Sequence, residues 1–514
     1  MAKKAPQIPV LEQRISGILL HPSSLPGGHG IGDLGRSSFQ FVDFLRSARQ
    51  RIWQVLPMGP TTVNEFHCPY ASVSAFAGNP LLLSLDSLVS DGLLSASDLR
   101  KQLAAVKLST RAGKVDFRSM ERFKAPLLRL AAHNFSGRRA DAAIERFTKE
   151  RHWARGYAQY AALRERFAAP RQRWPLAVRF KPAKLAGALK RPLSKDELRP
   201  HLALQYIFSK QWSALREYAT QRGVYLFGDV PIYVSNDSAD VWAQPELFEV
   251  DRRTGASLLV SGVPPDIFNS KGQLWGTPLY NWKALARQNF SWWVERFREL
   301  QQSFDIVRVD HFRAFESYWA VPGGAKEASA GKWMKAPGAE LFAAIERELG
   351  SLPLFVEDLG TISPEVHALR DRLKLMGTRV LQFAFSGDPR GSSKSRHHPV
   401  NTPHHTVTYT ATHDNAPTAE WFAELPEKNK SKVRGLLNDC RASEVPEQFV
   451  RLAMSLPARV CIFPLQDVLG LGRGHRMNYP GTAAWSNWSW RFQEIPEGTA
   501  ERLAHLSEVY ERNR

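Results

Sequence analysis

The sequence predicts an α/β fold in which eight βα units close into a (β/α)8 TIM barrel. Short apolar runs of strand length recur along the chain, and helical stretches separate them. Charged residues follow several of these runs, as is typical of barrel strands that end at a catalytic face. The predicted strands are residues 16–22, 53–57, 224–230, 304–310, 354–358, 379–385, 406–413 and 459–465.

The helical stretches carry signals of their own. An apolar stripe with i, i+3, i+4, i+7 spacing follows the first predicted strand and indicates an amphipathic helix. Its members are Phe41, Phe44, Leu45 and Ala48. After the fifth strand, Ser363 is a candidate N-cap, Pro364 suits a first turn, and Gly377 suits the end of the helix.

Two connections are too long for plain βα units. Residues 61–220 separate the second and third strands and are largely helical and basic, whereas residues 235–302, before the fourth strand, are rich in glycine, proline and aromatic residues. Barrels accept insertions at the rim that carries the active site. We therefore expect one catalytic domain over residues 1–514, with rim insertions at about 61–220 and about 235–302, the second supplying substrate-binding loops.

The formal net charge of +19 raises the possibility of a nucleic-acid-binding protein. Residues 151–201 hold thirteen Lys and Arg against three Asp and Glu. The same segment has apolar residues at helical spacing, so a solvated face on amphipathic helices explains the charge equally well. No nucleic-acid module is recognisable, which makes that alternative the weaker one.

Cysteine usage and hydropathy indicate the cellular compartment. The three cysteines have no metal-ligand spacing and no even count, which favours reduced thiols in a cytoplasmic protein. They are Cys68, Cys440 and Cys461. The most apolar stretch, residues 81–94, is interrupted by Asp86 and Asp91, so no membrane span is expected.

Two motifs match functional signatures in spacing or composition, but a structural interpretation of each is favoured. Gly30, Gly32 and Gly35 match the spacing of a dinucleotide fingerprint, but the next predicted strand ends without an acid, which favours close backbone packing instead. Two His-His pairs at 397–398 and 404–405 lie in a loop without a nearby acid or thiol, which favours a surface loop over a metal site. The G-x-S-x-G nucleophile elbow is absent from the sequence.

Three carboxylates at predicted strand ends are the main functional signal. Asp310 ends the fourth strand, Glu357 follows 47 residues later at the fifth, and Asp414 follows the seventh. Arg308 and Asp310 should point to the same side of their strand, and we expect the guanidinium to lower the pKa of Asp310. Glycosidic-bond chemistry needs at least two carboxylates in one site, and these three strand ends can supply them.

Aromatic and amide residues in the second insertion suit a sugar ligand. Trp275 lies between glycines in a loop-like segment, and Gln273 precedes it by two residues. Aromatic rings offer flat apolar surface to the C–H faces of sugars, while amides bind hydroxyl groups. Most of the fifteen tryptophans are expected in the core, with Trp275 as the exception.

At these residues the chain resembles a known family, the amylomaltases, which are the 4-α-glucanotransferases of glycoside hydrolase family 77. The resemblance also rests on motifs spread along the chain, besides the runs around Asp310, Glu357 and Asp414. They are HPSSLPG (21–27), GIGDLG (30–35), CPYAS (68–72), FAGNP (76–80), GDVPIYV (228–234), GQLWG (272–276), QDVLGLG (466–472) and RMNYPGT (476–482).

The resemblance implies a role for each catalytic acid. Asp310 would be the nucleophile, Glu357 the acid/base, and Asp414 the acid that stabilises the transition state. It also implies substrate contacts, to which the residue argument adds Gln273. The implied contacts are Tyr70, Asp229, Trp275, Arg308, His311, His413 and Asn478.

The expected reaction is retaining transfer of α-1,4-glucan segments between maltooligosaccharides, with no cofactor or metal. An α-1,4-glucan hydrolase with the same three carboxylates is the alternative among enzymes. A nucleic-acid-binding protein remains the alternative from another class.

Overall fold

In the computed structural model, the described part of the chain contains twelve β-strands, eight of which form a closed barrel. The structure describes residues 12–27, 29–108, 113–265, 271–385 and 394–512. The strands are β1 (Ile15–Leu19), β2 (Ile52–Gln54), β3 (Tyr225–Val230), β4 (Leu259–Val263), β5 (Gln273–Pro278), β6 (Ile306–Val309), β7 (Ser317–Pro322), β8 (Lys332–Lys335), β9 (Leu354–Val356), β10 (Gly377–Val380), β11 (Thr406–Tyr409) and β12 (Val460–Pro464).

The barrel strands are all parallel and follow the order β10, β11, β12, β1, β2, β3, β6, β9. A parallel bridge between Phe355 and Met376 joins β9 to β10 and closes the barrel. The predicted fold class is therefore confirmed. Because the strands are parallel, their carboxyl ends meet at one rim, where barrel enzymes place their chemistry.

The sixth barrel strand differs from its prediction. The predicted strand covered residues 379–385, whereas β10 begins at Gly377 and ends at Val380, and Leu381–Ala384 form a 3-10 helix. Leu381, Gln382 and Ala384 are buried in that helix. A short buried helix and a buried strand both give a continuous apolar run, so periodicity could not separate them.

Nineteen α-helices lie in the described part of the chain. They are α1 (Arg36–Ser47), α2 (Leu85–Ser90), α3 (Ala96–Ala105), α4 (Phe117–Asn134), α5 (Arg138–Glu150), α6 (Trp153–Phe167), α7 (Leu176–Arg179), α8 (Leu185–Ala188), α9 (Lys195–Gln221), α10 (Ala239–Ala243), α11 (Trp282–Arg287), α12 (Ser291–Ser303), α13 (Gly338–Leu349), α14 (Pro364–Arg372), α15 (Thr418–Glu424), α16 (Glu427–Leu436), α17 (Val445–Ser455), α18 (Leu465–Val468) and α19 (Thr499–Val509).

The two helices predicted in detail are present. Helix α1 buries Phe41, Val42 and Leu45, in agreement with the predicted stripe. Helix α14 begins at Pro364 as expected, but it ends at Arg372. Gly377, predicted to end that helix, instead begins β10.

Two bodies of structure extend the barrel at the carboxyl ends of its strands. Helices α2 to α9 all lie between β2 and β3, in the segment where a helical insertion was expected. An antiparallel sheet of four strands, ordered β5, β4, β7, β8, forms the second body, which we call the rim sheet. The rim sheet was not predicted from the sequence. It takes β4 and β5 from the connection before β6, and β7 and β8 from the connection after β6.

Two of the three glycines of the fingerprint-like motif, Gly32 and Gly35, lie where the chain packs closely. A Cβ on Gly32 would lie 2.1 Å from the carbonyl oxygen of Pro22, and one on Gly35 would lie 2.3 Å from Ser84 Oγ. Neither position has room for a side chain, which supports the packing interpretation.

No helix in the described ranges is long and apolar enough to cross a membrane.

Candidate active site

Strand β6 delivers Arg308 and Asp310 to the same side, as the alternation of strand side chains predicted. Arg308 Nη1 lies 2.9 Å from Asp310 Oδ1. The same nitrogen lies 2.9 Å and 2.7 Å from the two carboxylate oxygens of Asp229 on the neighbouring strand β3. One buried guanidinium therefore serves two carboxylates.

The structure contradicts the expectation that Arg308 lowers the pKa of Asp310. Burial is the largest effect and raises that pKa, and the opposing charge of Arg308 does not cancel it. The nearby carboxylates add to the increase, and the pKa of Asp310 reaches about 8. They are Asp229, Glu357 and Asp414.

Glu357 follows β9 and is held by two backbone N–H groups. Its Oε2 accepts from the N–H of His311 at 2.9 Å, and its Oε1 accepts from the N–H of Leu359 at 2.6 Å. His311 has a φ of 47°, in the left-handed region, which orients its N–H immediately after Asp310. Burial raises the pKa of Glu357, against the charge of Arg308 and these two hydrogen bonds.

Asp358, the next residue, is fully buried and joins β9 to β10. Its Oδ1 accepts from the N–H of Thr378 at 2.8 Å, and its Oδ2 accepts from Arg370 at 2.7 Å and Arg396 at 2.6 Å. Asp358 was not among the site residues predicted from the sequence. It supports the strand that carries Glu357 and belongs to the barrel wall.

Asp414 lies in a turn after β11 and is more open to solvent than Asp310, with its side chain 45% exposed against 25%. Asn478 Nδ2 donates to Asp414 Oδ1 at 2.7 Å, and His413 Nε2 lies 3.5 Å from the same oxygen. Arg476, which the sequence analysis did not assign, donates to the backbone carbonyls of Asp414 and Asn478 at 2.6 Å each.

Tyr70 connects the Asp414 side of the site to the Asp310 side. Its hydroxyl donates to Asp229 Oδ2 at 2.8 Å, and its ring stacks on the His413 ring with centroids 5.2 Å apart. Burial lowers the pKa of His413, so the stacked imidazole is neutral near pH 7. The Asp229 side chain is 0% exposed, which leaves it no surface for direct contact with a sugar.

The predicted aromatic surface is present at the rim. Trp275 on β5 is 38% exposed, and its ring meets the His311 ring edge to face at 4.7 Å. Trp275 Nε1 donates to Gln273 Oε1 at 3.2 Å. Burial, together with Arg313 and Arg308, lowers the pKa of His311 to about 3, so this ring is also neutral.

The family model described as 4-alpha-glucanotransferase, glycoside hydrolase family 77, matches residues 20–496. The chain belongs to glycoside hydrolase family 77. Its activity is that of a 4-α-glucanotransferase, the enzyme for which this family is named.

Relatives within family 77 match along almost the whole chain. The 4-α-glucanotransferase of Synechocystis sp. is 42% identical over 98% of this chain and 99% of its own length. The 4-α-glucanotransferase of Thermus thermophilus is 40% identical over 97% of this chain and 99% of its own length. Among solved structures, the amylomaltase of Streptococcus agalactiae in complex with acarbose is 35% identical, with a TM-score of 0.92, over 98% of this chain and 100% of its own.

The histidine pairs of this family 77 chain make local contacts. The Nδ1 atom of His397 accepts from the N–H of Val380 at 3.2 Å, and His405 Nε2 bonds the carbonyl of Lys374 at 3.1 Å. Across the residues that the structure describes, no group of three His, Cys, Asp or Glu side chains is arranged to hold a metal ion.

Proposed function

We propose that this 4-α-glucanotransferase works by retaining double displacement. An Asp310 oxygen attacks the anomeric carbon of a donor glucan, and the glycosidic C–O bond breaks as Glu357 gives its proton to the leaving 4-oxygen. Glu357 then takes the proton of an acceptor 4-hydroxyl, whose oxygen displaces Asp310. Asp414 stabilises the positive charge that develops on the sugar. The reaction moves only a proton and a glycosyl group, so it requires no cofactor.

The observation that supports this proposal most directly is a continuous path of contacts through the site. Arg308 joins Asp310 to Asp229, and Tyr70 joins Asp229 to His413, which adjoins Asp414. Glu357 is linked to the same group of residues through a hydrogen bond that it accepts from the backbone N–H of His311, the residue that follows Asp310. Three carboxylates from three strand ends are thus fixed relative to one another, as in-line displacement requires.

Asp229 has a different role in this proposal from the direct substrate contact suggested by the resemblance. Its carboxylate is fully buried between Arg308 and Tyr70, so it orients these two groups. The remaining substrate contacts are proposed to come from side chains around the cleft, of which Tyr70, Gln273 and Trp275 are exposed or half-buried and the others are buried but for a few per cent of their surface. The full set is Tyr70, Gln273, Trp275, Arg308, His311, His413 and Asn478.

Transfer needs an acceptor that competes with water, and we propose that the helical insertion and the rim sheet bind it. The donors would be maltooligosaccharides or starch- and glycogen-type glucans in the cytoplasm. An α-1,4-glucan hydrolase would use the same three acids, so product analysis decides between the two reactions.

Incubation with maltotriose tests the proposal. Disproportionation should give glucose and a ladder of longer maltooligosaccharides, because each glucosyl or maltosyl unit leaves Asp310 for another sugar. Hydrolysis would give maltose and glucose without longer products, and that result would contradict the transfer reaction.

Asp310→Asn tests the nucleophile. The amide should reduce transfer to a trace, and Asp371→Asn, on the exposed end of α14, is the matched control that should keep full activity. The fold should remain intact, because the folded state already disfavours the charge of Asp310 at neutral pH. A lower thermal midpoint for Asp310→Asn would point to structural damage, and substantial residual transfer would reassign the nucleophile.

A further inference from the structure

Trp333 is a large apolar side chain at the edge of the rim sheet. It lies on the edge strand β8 and is 41% exposed. Lys332 and Lys335 on the same strand are exposed too, so β8 presents this ring within a polar surface. Trp275 and Trp333 are the two exposed tryptophans among the residues that the structure describes.

The Trp333 ring is fixed in place by its neighbours. It pairs across the strands with Trp319, whose ring meets it edge to face at 5.1 Å. The guanidinium of Arg313 lies 3.8 Å from the centroid of the Trp333 ring. Arg313 is itself buried and lies over one face of the indole, which we call the inner face; the opposite face is the outer face.

Arg313 also relates Trp333 to the catalytic acids. It follows Asp310 by three residues, and its Nη1 donates to the backbone carbonyl of Thr361, four residues after Glu357. Trp333 therefore lies on the Glu357 side of the cleft. An acid/base stands beside the glycosidic oxygen, so sugars beyond it belong to the leaving chain and to the acceptor chain that replaces it.

We propose that the outer face of Trp333 stacks on a glucose unit of the acceptor glucan, beyond the unit that forms the new bond. The inference rests on the proposed acid/base role of Glu357, which defines the acceptor side. A fixed ring with an open face suits the C–H surface of a glucose unit and loses little conformational entropy on binding. The contact with Arg313 occupies only the inner face of the Trp333 ring, so that contact does not account for an aromatic residue with an outer face.

Acceptor length tests this site. With α-glucosyl fluoride as donor, a single glucosyl unit is transferred, and the rate is measured with glucose, maltose or maltopentaose as acceptor. Trp333→Ala should raise the acceptor KM for maltopentaose about tenfold, equivalent to ~1.4 kcal/mol, and should leave the KM for glucose within about twofold. Trp333→Tyr, which keeps an aromatic face, should retain most of the wild-type preference.

Leu258→Ala is the matched control, because Leu258 is 52% exposed and directly precedes β4 of the same sheet. It should leave both KM values unchanged. An equal rise in KM for glucose and maltopentaose in Trp333→Ala would show that the ring only supports Arg313, and unchanged values would show that no sugar stacks there. Either result overturns the proposal. Absence of any transfer by the wild-type enzyme would instead overturn the proposed mechanism.

Discussion

The position of Arg308 beside Asp310 could be predicted from the sequence, but its effect on the pKa of Asp310 could not. Its proximity to Asp310 follows from strand alternation, and the structure confirms it. Its charge, however, is shared with Asp229, 79 residues earlier in the chain, and burial of Asp310 outweighs what remains. Neither the shared partner nor the burial can be derived from the local sequence, so the direction of the pKa shift was predicted wrongly.

The raised pKa values predict the pH dependence of transfer. Burial raises the pKa of both Asp310 and Glu357, and the reactive form of the proposed mechanism has Asp310 ionised and Glu357 protonated. The rate should fall on the alkaline side, above the usual pKa range of a carboxyl group, where Glu357 loses its proton, and on the acid side, where Asp310 becomes protonated. Because the two carboxyl groups interact, the two limbs belong to the pair. kcat/KM for maltotriose against pH measures both limbs, with thermal midpoints at each pH as the control. A rate that stays unchanged up to about pH 10 would contradict the need for a protonated Glu357.

Glu357→Gln separates the two functions of the acid/base. A natural glucan needs its leaving oxygen protonated, so this donor should barely react. α-Glucosyl fluoride needs little protonation, so its first step should survive, and the glucosyl-enzyme should accumulate because no base activates the acceptor. Intact-protein mass spectrometry should show one added glucosyl unit. The adduct should disappear when Asp310 is replaced as well, whereas an adduct on Asp414 would reassign the nucleophile.

Among the elements, the rim sheet escaped prediction although Trp275 and Gln273 were singled out within it. Strands β5 and β8 are exposed edge strands, and β5 contains a glycine, so their sequences lack the buried alternation that marks a strand. Their partners are distant, since β4 pairs with β7 across the whole of β6. The barrel strands were predictable because burial on both faces makes them continuous apolar runs.

Strand β3 depends on the absence of a side chain at Gly228. A Cβ there would lie 2.4 Å from the Phe304 ring, which is buried against Trp212. Gly228→Ala should therefore displace Phe304 or β3, at a cost of about 1–3 kcal/mol. Because Asp229 follows directly, transfer activity should fall together with the thermal midpoint.

Gly187→Ala is the matched control, because a Cβ on that glycine of α8 meets no atom within 4 Å. Its thermal midpoint and activity should match the wild type. Equal behaviour of the two variants would contradict a packing role for Gly228.

For the molecule as a whole, the concentrated positive charge of residues 151–201 has a partly structural explanation. Arg164 pairs with Asp237 at 3.2 Å, and Arg166 pairs with Glu197 at 2.6 Å. Arg171 is buried and donates to Asn236. These arginines tie the helical insertion together and to the segment after β3. The excess of Lys and Arg can be counted from the sequence, but only the fold shows which of these guanidinium groups are buried or paired with carboxylates.

Arg512 closes the amino-terminal side of the barrel, opposite the active site. It is fully buried, and it donates to the carbonyls of Met454 at 2.7 Å, Leu456 at 2.8 Å and Ile15 at 3.3 Å. Arg512→Ala should destabilise the protein by about 3 kcal/mol, because it leaves buried carbonyls unpaired. Thermal midpoints at one scan rate measure the loss, and transfer at 25 °C should persist because the carboxyl-terminal rim is untouched.

Arg49→Ala is the control variant for Arg512→Ala. Arg49 binds Glu508 of α19 at 2.7 Å, but both side chains are about half exposed, so its removal should have little effect. A similar loss in both variants would show that the attachment of α19, rather than the buried guanidinium, determines stability.

The closure of the barrel by one backbone bridge, between Phe355 and Met376, has a consequence for the order of events in a turnover. The other neighbouring strands share at least three paired positions each, whereas the single bridge between β9 and β10 is supplemented by side-chain hydrogen bonds of Asp358 and Thr378. Glu357 therefore follows a strand that is joined to β10 mainly through side chains, whereas Asp310 follows β6, which is paired along both of its edges. The covalently bound sugar would then stay on the part of the wall that backbone pairing holds, while one glucan chain departs and another arrives beside the part that side chains hold.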